Sequence, residues 1–408
     1  MSTTHHLVSG INLVVDQMSS VSSVAIGVFV SAGTHTEVRE VQGVSHMLEH
    51  MAFKGTQNFD QSYDVDISIG AVGGHLNAHT DLDHTAFYAH VRDCDAEQAF
   101  KTLSEVVLLP ALRPQDFQKE VNVVLEELAA SQDSPESYVI EEALSNRYPE
   151  STYGAAILGT KESLNNMSTQ DVRDYWRAGY NKGSIVISVS GNLSVEQAIA
   201  LTDRYFGYCP EGTALPQVPA PAPSLGSSYT EREGLEQVHF VLAYEGLGHN
   251  SPSRDALGIV NYIFGGEMHS HLVQEVREKR GLAYDISSLS YRLSLDHGLY
   301  CITGGCTPAR WNEVLDISER MFRELSRDGL YKTDFDLGRK ALAGRIALSL
   351  ESPSTRMFSN GTRFLRSGKV YTPLERIQQV EQVSYYNVLD LCRTFDPESQ
   401  TIHVLSAA

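Results

Sequence analysis

His46-Met47-Leu48-Glu49-His50 is the stretch on which the interpretation of the whole chain depends. Positions four apart on an α-helix lie above one another, so His46 and His50 would share one helix face with Glu49 beside them. Two imidazoles at this spacing can each offer a ring nitrogen to one Zn²⁺ ion, and the neighbouring carboxylate can act as a general base. Because the chain contains 15 histidines, a chance occurrence is the competing interpretation, and the surrounding sequence has to decide.

Length and composition predict a soluble globular protein of two to three domains, since the chain has 408 residues of which 42% are hydrophobic. The longest apolar runs, such as 24–30 and 185–189, are strand-sized and far shorter than the roughly 20 residues of a membrane helix. Residues 1–6 lack the basic and apolar segments of a secretory signal. We therefore expect a cytoplasmic protein without a membrane-spanning segment.

The net charge of -19 argues against nucleic acid and against an anionic membrane as the main partner. It permits cationic partners, and an acidic interior cavity would favour basic peptides as substrates. The five cysteines lack the paired short spacings of a thiolate zinc site, so we expect small buried hydrophobic residues in a reducing compartment.

A proline-rich linker at 211–228 is predicted to separate two domains, 1–210 and 229–408. Short matches at nearly constant spacing indicate that the two halves are copies of one domain. The spacing is 218 residues for the first two matches and 213 for the third, and the matches are Asp116-Phe117 with Asp334-Phe335, Asp133-Ser134-Pro135 with Glu351-Ser352-Pro353, and Leu82-Asp83-His84 with Leu295-Asp296-His297.

Hydrophobic periodicity in the first half predicts an α+β domain, with one mainly antiparallel sheet and helices packed on one face. The predicted strands are 11–15 and 24–30 as a pair, 75–78, 84–91 and 184–190. The predicted helices are 41–51, 95–108 and 114–131.

A catalytic zinc site usually has three protein ligands, so a third, most simply a carboxylate, is expected downstream of the two histidines. The helix after Pro114 offers Glu120, Glu126 and Glu127. Glu120 and Glu127 are two turns apart and share a face, whereas Glu126 points away from it. We predict Glu127 as the ligand and Glu120 as a hydrogen-bond partner of a ligand histidine. The alternative is that all three glutamates are solvated.

Several segments resemble the pitrilysin and mitochondrial processing peptidase family, the inverzincins, in its short two-domain processing-protease branch. Residues 45–56 (SHMLEHMAFKGT) are similar to its inverted zinc motif, 73–80 (GGHLNAHT) to its edge strand, and 120–127 (EVNVVLEE) to its distal glutamate helix. In the second half, 265–268 (GGEM) and 277–284 (REKRGLAY) are similar to its substrate-binding element.

This resemblance implies that His46, His50 and Glu127 bind one zinc ion per chain. It also implies that Glu49 is the general base of a metalloendopeptidase and that Glu120 supports the site. These roles suit the chemistry of the residues, because zinc lowers the pKa of water and a carboxylate can accept the proton.

By the same resemblance, Arg277 and Tyr284 contact the substrate and can donate hydrogen bonds to a peptide carbonyl or an oxyanion. Gly281 is expected to end the helix that holds Arg277. Spacing alone favours a surface charge for Arg277 and a core aromatic residue for Tyr284.

Asn77 and Ala78 are expected on an exposed strand edge, where a substrate peptide can add as a further strand. The histidines nearby, His75, His79, His84 and His90, lack helical pairing, and we assign them structural or surface roles. The turn Gly265-Gly266 resembles a shortened glycine-rich loop of the family's non-catalytic partner, from which Glu267 departs.

At the spacing of 218, Phe264, Glu267 and Met268 fall opposite His46, Glu49 and His50, and Arg345 falls opposite Glu127. No second H-x-x-E-H occurs in this half. We therefore predict that one domain holds the metal and the other binds substrate.

Family members of the long type enclose substrate between four such domains, so the resemblance implies that this two-domain chain forms a dimer around a chamber. A homodimer is favoured because the zinc-binding motif and the substrate-binding element with Arg277 and Tyr284 are on one chain. A heterodimer with a related chain is the alternative assembly. Short or unfolded peptides are the expected substrates. The competing functions are a non-catalytic scaffold or assembly subunit, and the catalytic subunit of a heterodimeric processing peptidase.

Overall fold

The computed structural model describes residues 3–407, which divide into two compact units. Unit 1 comprises 3–129, 156–219 and 348–374, and unit 2 comprises 130–155, 220–347 and 375–407. The strands in the described residues are β1 (Thr3–Val8), β2 (Ile11–Gln17), β3 (Ser23–Val30), β4 (His75–Thr80), β5 (Thr85–Arg92), β6 (Ile185–Gly191), β7 (Gly226–Glu231), β8 (Val238–Glu245), β9 (Ala283–Arg292), β10 (Gly298–Cys306) and β11 (Thr401–Ser406).

The α-helices of the described residues are α1 (Val44–Ala52), α2 (Ser62–Gly70), α3 (Ala96–Leu108), α4 (Pro114–Gln132), α5 (Pro135–Arg147), α6 (Lys161–Asn166), α7 (Thr169–Gly179), α8 (Val195–Phe206), α9 (Arg254–Phe264), α10 (His271–Val273), α11 (Trp311–Asp328), α12 (Lys332–Ser349), α13 (Pro353–Ser367), α14 (Pro373–Glu381) and α15 (Tyr385–Thr394). Within residues 3–407, no helix is both long enough and apolar enough to cross a membrane.

Unit 1 is built on a six-stranded sheet in the order β1-β2-β6-β3-β5-β4. Only the β2–β6 pair is parallel within this sheet, so the predicted α+β class with a mainly antiparallel sheet is confirmed. The predicted pairing of strands 11–15 and 24–30 is wrong, because β6 lies between β2 and β3 and pairs with both. Every residue of β6 is buried, as a central strand requires.

Helix α1 begins after Gly43 and covers the same face of the sheet as α3. Gly43 has φ +87, and a Cβ there would lie 2.7 Å from the carbonyl oxygen of Leu158, so the turn requires glycine. Because this turn interrupts the chain, the helix starts later than predicted, and residues Arg39–Val41 form a separate 3₁₀ turn. The buried apolar side chains of α1 are Val44, Met47, Leu48, Met51 and Ala52.

Helix α13 covers the second face of the unit 1 sheet, although it comes from the C-terminal half of the sequence. A Cβ at Gly27 would lie 2.3 Å from the sulfur of Met357, so the helix approaches the centre of β3 closely. Arg356 of α13 also binds buried Asp16, with Nη1 at 3.2 Å from Oδ1. The prediction that helices pack on one face only is therefore wrong for unit 1. The continuous apolar run at residues 24–30 is the sequence pattern that fits burial on both faces of β3.

Unit 2 is built on a five-stranded sheet in the order β7-β11-β8-β10-β9, in which only β7 and β11 run parallel. Its core contains stacked aromatic rings, including Tyr244 and Phe322 with centroids 3.7 Å apart. The second half therefore repeats the α+β plan, as the sequence matches predict.

Helix α5 packs within unit 2, against β8 and β11, although residues 130–155 lie in the predicted N-terminal domain. The buried guanidinium of Arg147 anchors it, donating to the carbonyl oxygen of Ser399 at 3.0 Å and to Thr401 Oγ1 at 2.7 Å. Unit 1 thus includes residues 348–374 from the second half of the sequence, and unit 2 includes residues 130–155 from the first half. The predicted division of the chain into two continuous domains does not describe this exchange of segments. The change from unit 1 to unit 2 at residues 219 and 220 falls inside the predicted linker.

Candidate metal centre

Helix α1 brings His46 and His50 together, with ring centroids 4.6 Å apart. His46 is buried and His50 is partly buried. Both rings project from α1 on the face that the spacing of four predicts. The pair therefore presents two ring nitrogens to one side of the helix.

Glu127 of α4 completes the group. Its Oε1 lies 3.8 Å from His46 Nε2 and its Oε2 lies 3.4 Å from His50 Nε2. One ligand atom from each of the three residues falls within 4.8 Å of the others. Glu126 is exposed and does not join this group, as its helical phase predicts. Two imidazoles and one carboxylate are a donor set that zinc binds in catalytic sites.

The protonation state of His46 suits a metal ligand. Burial, together with the positive charge that His50 can carry, lowers its pKa to about 3. The ring therefore stays neutral and keeps a lone pair available, which metal binding requires.

Glu120 supports His50 from behind. Its Oε2 lies 3.1 Å from His50 Nδ1, and its Oε1 accepts a hydrogen bond from Lys54 Nζ at 2.9 Å. Glu120 is buried, so these two contacts satisfy a carboxylate that has little access to water. With Nδ1–H donating to Glu120, the Nε2 atom of His50 is left free to bind a metal.

Glu49 lies beside the three converging residues but is not one of them. Thr80 of β4 donates a hydrogen bond to Glu49 Oε2 at 2.6 Å. Burial raises the pKa of Glu49, and the hydrogen bond from Thr80 opposes that rise. A partly buried carboxylate of this kind can take up a proton more readily than one in water.

Asn77 and Ala78 lie on β4, the terminal strand of the sheet, which pairs only with β5 among the described strands. The backbone N–H of Ala78 donates to the side-chain Oδ1 of Asn77 at 2.9 Å. The edge is placed as expected.

Arg277 and Tyr284 lie in unit 2. Arg277 belongs to a π-helical turn, Gln274–Glu278, that continues α10, and Tyr284 is the second residue of β9. The guanidinium lies 4.9 Å from the centroid of the Tyr284 ring. Tyr284 is 78% exposed, so it is not the core residue of the alternative interpretation. Gly281 has φ +61 and stands between the turn and β9, as expected.

The turn Gly265-Gly266 follows the end of α9 at Phe264. A Cβ at Gly265 would lie 2.7 Å from the backbone nitrogen of Ser288, so the close approach to β9 requires glycine. Because α9 ends here, Glu267 lies beyond the helix, and the spacing of 218 that placed it opposite Glu49 fails at this element. Glu267 instead forms an ion pair with Arg345.

A second group, formed by Asp81, Asp83 and His84, also brings three potential ligands together. Arg366 binds Asp83 with two hydrogen bonds, from Nε at 2.6 Å and from Nη2 at 2.8 Å. Burial opposes the ionisation of Asp83, but the hydrogen bonds and charge of Arg366 and His84 lower its pKa. This group is therefore an ion-pair network, in keeping with the structural role expected for His84.

Thr80 and Lys54 also contact the site, although no sequence motif assigns a role to either residue. Lys54 lies beyond the end of α1 at Ala52, so the helical spacing that selected His50 does not extend to it. Thr80 comes from β4 and meets Glu49 only through tertiary packing, and no local pattern marks it.

Comparison with known proteins agrees with this geometry. The family model of insulinase (peptidase family M16) matches residues 13–161, and the model of the peptidase M16 inactive domain matches 166–342. The protein named uncharacterized zinc protease YmxG of Bacillus subtilis is 32% identical over 401 residues, covering 98% of this chain and 96% of the relative. The chain belongs to peptidase family M16. The predicted family and the predicted class of enzyme are thereby confirmed.

Other members of the M16 family are similar over nearly their whole length. The uncharacterized zinc protease ML0855 of Mycobacterium leprae is 30% identical over 391 residues, covering 94% of this chain and 86% of the relative. The crystal structure of a peptidase M16 inactive domain from Pseudomonas fluorescens has a TM-score of 0.93 and covers 100% of this chain and 98% of its own. A protease structure from Helicobacter pylori has a TM-score of 0.88, covering 99% of each chain. Both structures are 19% identical to this chain and show a shared fold alone.

Proposed function

We propose that this M16 peptidase is a zinc metalloendopeptidase that hydrolyses peptide bonds in short or unfolded peptides. The observation that carries the proposal is the convergence of His46, His50 and Glu127, with the carboxylate of Glu49 beside them. Zinc is the metal named for the relatives, and the neutral nitrogens and the carboxylate match its preferences.

When bound, zinc supplies Lewis acidity, which lowers the pKa of water and polarises a peptide carbonyl. Glu49 accepts the proton of the attacking water and returns it to the amine that leaves. Thr80 holds the carboxylate of Glu49 in place by its hydrogen bond to Oε2. Glu120 keeps the proton of His50 on Nδ1.

Substrate binding is assigned to two separate elements. A peptide adds to the edge of β4 as an extra strand, pairing with backbone groups near Asn77 and Ala78. Arg277 and Tyr284 donate hydrogen bonds to the peptide or to the oxyanion that develops during hydrolysis. The exposure of the Tyr284 ring supports this assignment, because an accessible phenol can reach a ligand.

The assembly and the location are further parts of the proposal. The chain forms a homodimer that encloses peptides in a chamber. The alternative is a heterodimer with a related chain, in which case the purified chain alone would have the mass of a monomer. The net charge of -19 favours basic peptides. Sedimentation of the purified protein tests the assembly, and cell fractionation tests the expected cytoplasmic location.

The decisive experiment compares the wild type with Glu49→Gln. Zinc content is measured after dialysis, and cleavage is measured with quenched fluorescent peptides of basic and acidic sequence. We expect one zinc ion per chain in both proteins and a loss of cleavage of at least about 100-fold in the variant. Stoichiometric zinc without Glu49-dependent cleavage of any peptide would contradict the proposed enzyme and favour a non-catalytic scaffold.

A further inference from the structure

The carboxylate of Glu37 caps helix α1 from outside the helix. Glu37 lies between two short 3₁₀ turns that precede α1, and its side chain is buried. Its Oε2 accepts the N–H of Gly43 at 2.8 Å and its Oε1 accepts the N–H of Ser45 at 2.9 Å. These N–H groups belong to the helix N-terminus, where no intrahelical partner exists.

Both oxygens of Glu37 are needed for this cap. The N-cap residue of α1 is Gly43, which has no side chain to accept a hydrogen bond. A carboxylate at the N-terminus also complements the helix dipole. An amide in the same place would offer one oxygen and would direct an NH₂ group at the other N–H donor.

A second contact fixes the same turn of the helix. The hydroxyl of Tyr175 lies 2.7 Å from Ser45 Oγ and 2.6 Å from Thr36 Oγ1. Thr36 precedes Glu37, and Ser45 precedes His46. Through Tyr175, Thr36 in the segment before the helix is therefore linked to Ser45 in the first turn of the helix. This link adds to the direct hydrogen bonds that Glu37 accepts.

His46 depends on this turn more than His50 does. The Nδ1 atom of His50 has Glu120 as its partner. The Nδ1 atom of His46 is buried and has no hydrogen-bond partner among the described residues. No described side chain holds the ring of His46 by a hydrogen bond to Nδ1, so its direction depends on packing and on the backbone of the first helical turn.

We propose that Glu37 is a positioning residue for zinc binding, which holds the first turn of α1 so that His46 faces the ligands His50 and Glu127. The inference rests on the proposed function, because it takes His46 as a ligand. Glu37 acts through the backbone of Gly43 and Ser45 and does not touch the metal or the substrate.

The test compares Glu37→Gln with Glu40→Gln, an exposed glutamate three residues away, in the full-length protein stripped of metal. Competition with a fluorescent chelator gives the Kd for Zn²⁺ of each protein. It is measured at pH 8, because burial raises the pKa of Glu37 to about 7 and the carboxylate is mostly ionised at that pH. We expect Glu37→Gln to raise the Kd by about 10- to 100-fold, as loss of supporting hydrogen bonds does in other zinc sites. Glu40→Gln is expected to match the wild type.

Cleavage at saturating zinc separates positioning from a loss of folded protein. Positioning predicts that excess Zn²⁺ restores most of the kcat of Glu37→Gln. If the variant shows a wild-type Kd for zinc and only a smaller folded fraction, the inference is wrong. Amide hydrogen exchange of the metal-free proteins provides a readout without activity, and we expect faster exchange at 43–47 in Glu37→Gln alone.

Tyr175→Phe provides a second variant if Glu37→Gln does not fold. It removes only the hydroxyl that bonds Ser45 and Thr36, and we expect a rise in zinc Kd of roughly 2- to 10-fold. An unchanged Kd in Tyr175→Phe, with Glu37→Gln unfolded, overturns the inference. If the zinc Kd shifts as expected but the wild type cleaves no peptide, the positioning role stands and the proposed enzyme fails.

Discussion

His46 and His50 are supported by different parts of the chain, and this difference gives a prediction for Glu120. Because Glu120 Oε2 holds the Nδ1 proton of His50, Glu120→Gln should lower zinc affinity by about 10- to 100-fold. Glu126 is exposed and adjoins the proposed ligand Glu127, so Glu126→Gln should leave zinc affinity unchanged. Chelator competition measures both. Equal zinc Kd values in the two variants would show that His50 needs no partner.

Thr80 affects the reaction through Glu49 and not through the metal. Thr80→Val removes the hydroxyl that bonds Glu49 Oε2 and keeps the shape of the side chain. We expect kcat to fall by about 10-fold with unchanged zinc content, because a base that is less well oriented transfers the proton less efficiently. Thr80→Ser keeps the hydroxyl and serves as the control. A Thr80→Val enzyme with full turnover would argue against an orienting hydrogen bond.

The sequence indicates the ligands better than their supports. Helical phase distinguishes Glu127 from Glu126 because both lie on one regular helix, where spacing fixes direction. The partner of Glu49 cannot be found in this way, since Thr80 reaches it from a strand 31 positions along the chain. The contact of Glu37 with α1 cannot be predicted from the sequence for a similar reason. Glu37 bonds to backbone groups of a helix that begins after an irregular turn, and no side-chain pattern marks such bonds.

Helix α1 makes the stability of the protein depend on pH through Glu37. Burial raises the pKa of Glu37 from 4.5 to about 7, although hydrogen bonds from Gly43 and Ser45 oppose the rise. Between these values the folded protein keeps a proton that the unfolded chain has lost, so this contribution to stability falls as pH rises. From pH 5 to pH 8, the metal-free wild type should lose roughly 2 to 3 kcal/mol relative to Glu37→Gln.

Urea unfolding of the two metal-free proteins at both pH values measures this difference. The Glu37→Gln variant carries every other titrating group of the wild type, so their effects cancel in the comparison. A difference that does not change between pH 5 and pH 8, or that changes in the opposite direction, would mean that Glu37 titrates near its ordinary pKa.

The attachment of α13 to the sheet of unit 1 depends on a buried ion pair. Arg356 Nη1 lies 3.2 Å from Asp16 Oδ1, and both residues are buried. Arg356→Met should destabilise the protein by about 3 to 5 kcal/mol, because it leaves the carboxylate of Asp16 buried without its cation. The double variant Asp16→Asn with Arg356→Met should recover part of this loss. Urea unfolding checks both values, and a single variant as stable as the double one would contradict the argument.

Helices α5 and α13 show what local patterns can and cannot predict. Their matching Ser-Pro starts reveal the repeat, since each helix begins at a proline. The assignment of α5 to unit 2 and of α13 to unit 1 could not be predicted, because periodicity gives the apolar face of a helix but not the sheet that it covers. The same limit explains the wrong pairing of β2 with β3, since β6 enters from more than 150 residues further along the chain.

The two copies of the domain have diverged in their chemistry. Both ligand groups found in residues 3–407 lie in unit 1, and one of them is an ion-pair network. In unit 2, Arg345, which falls opposite Glu127 at the spacing of 218, is a cation and forms an ion pair with Glu267. The repeated fold therefore carries its one candidate metal centre, among the described residues, in unit 1.

This division predicts that substitutions in unit 2 change turnover without changing metal binding. Tyr284→Phe and Arg277→Gln each remove hydrogen-bond donors, and we expect kcat/KM to fall by about 100-fold while the zinc Kd stays at the wild-type value. Tyr386→Phe, at a residue that is 74% exposed, is the matched control and should cleave peptides normally. If Tyr284→Phe and Arg277→Gln retain full kcat/KM, both residues are surface groups, and the second domain contributes to the reaction through other side chains.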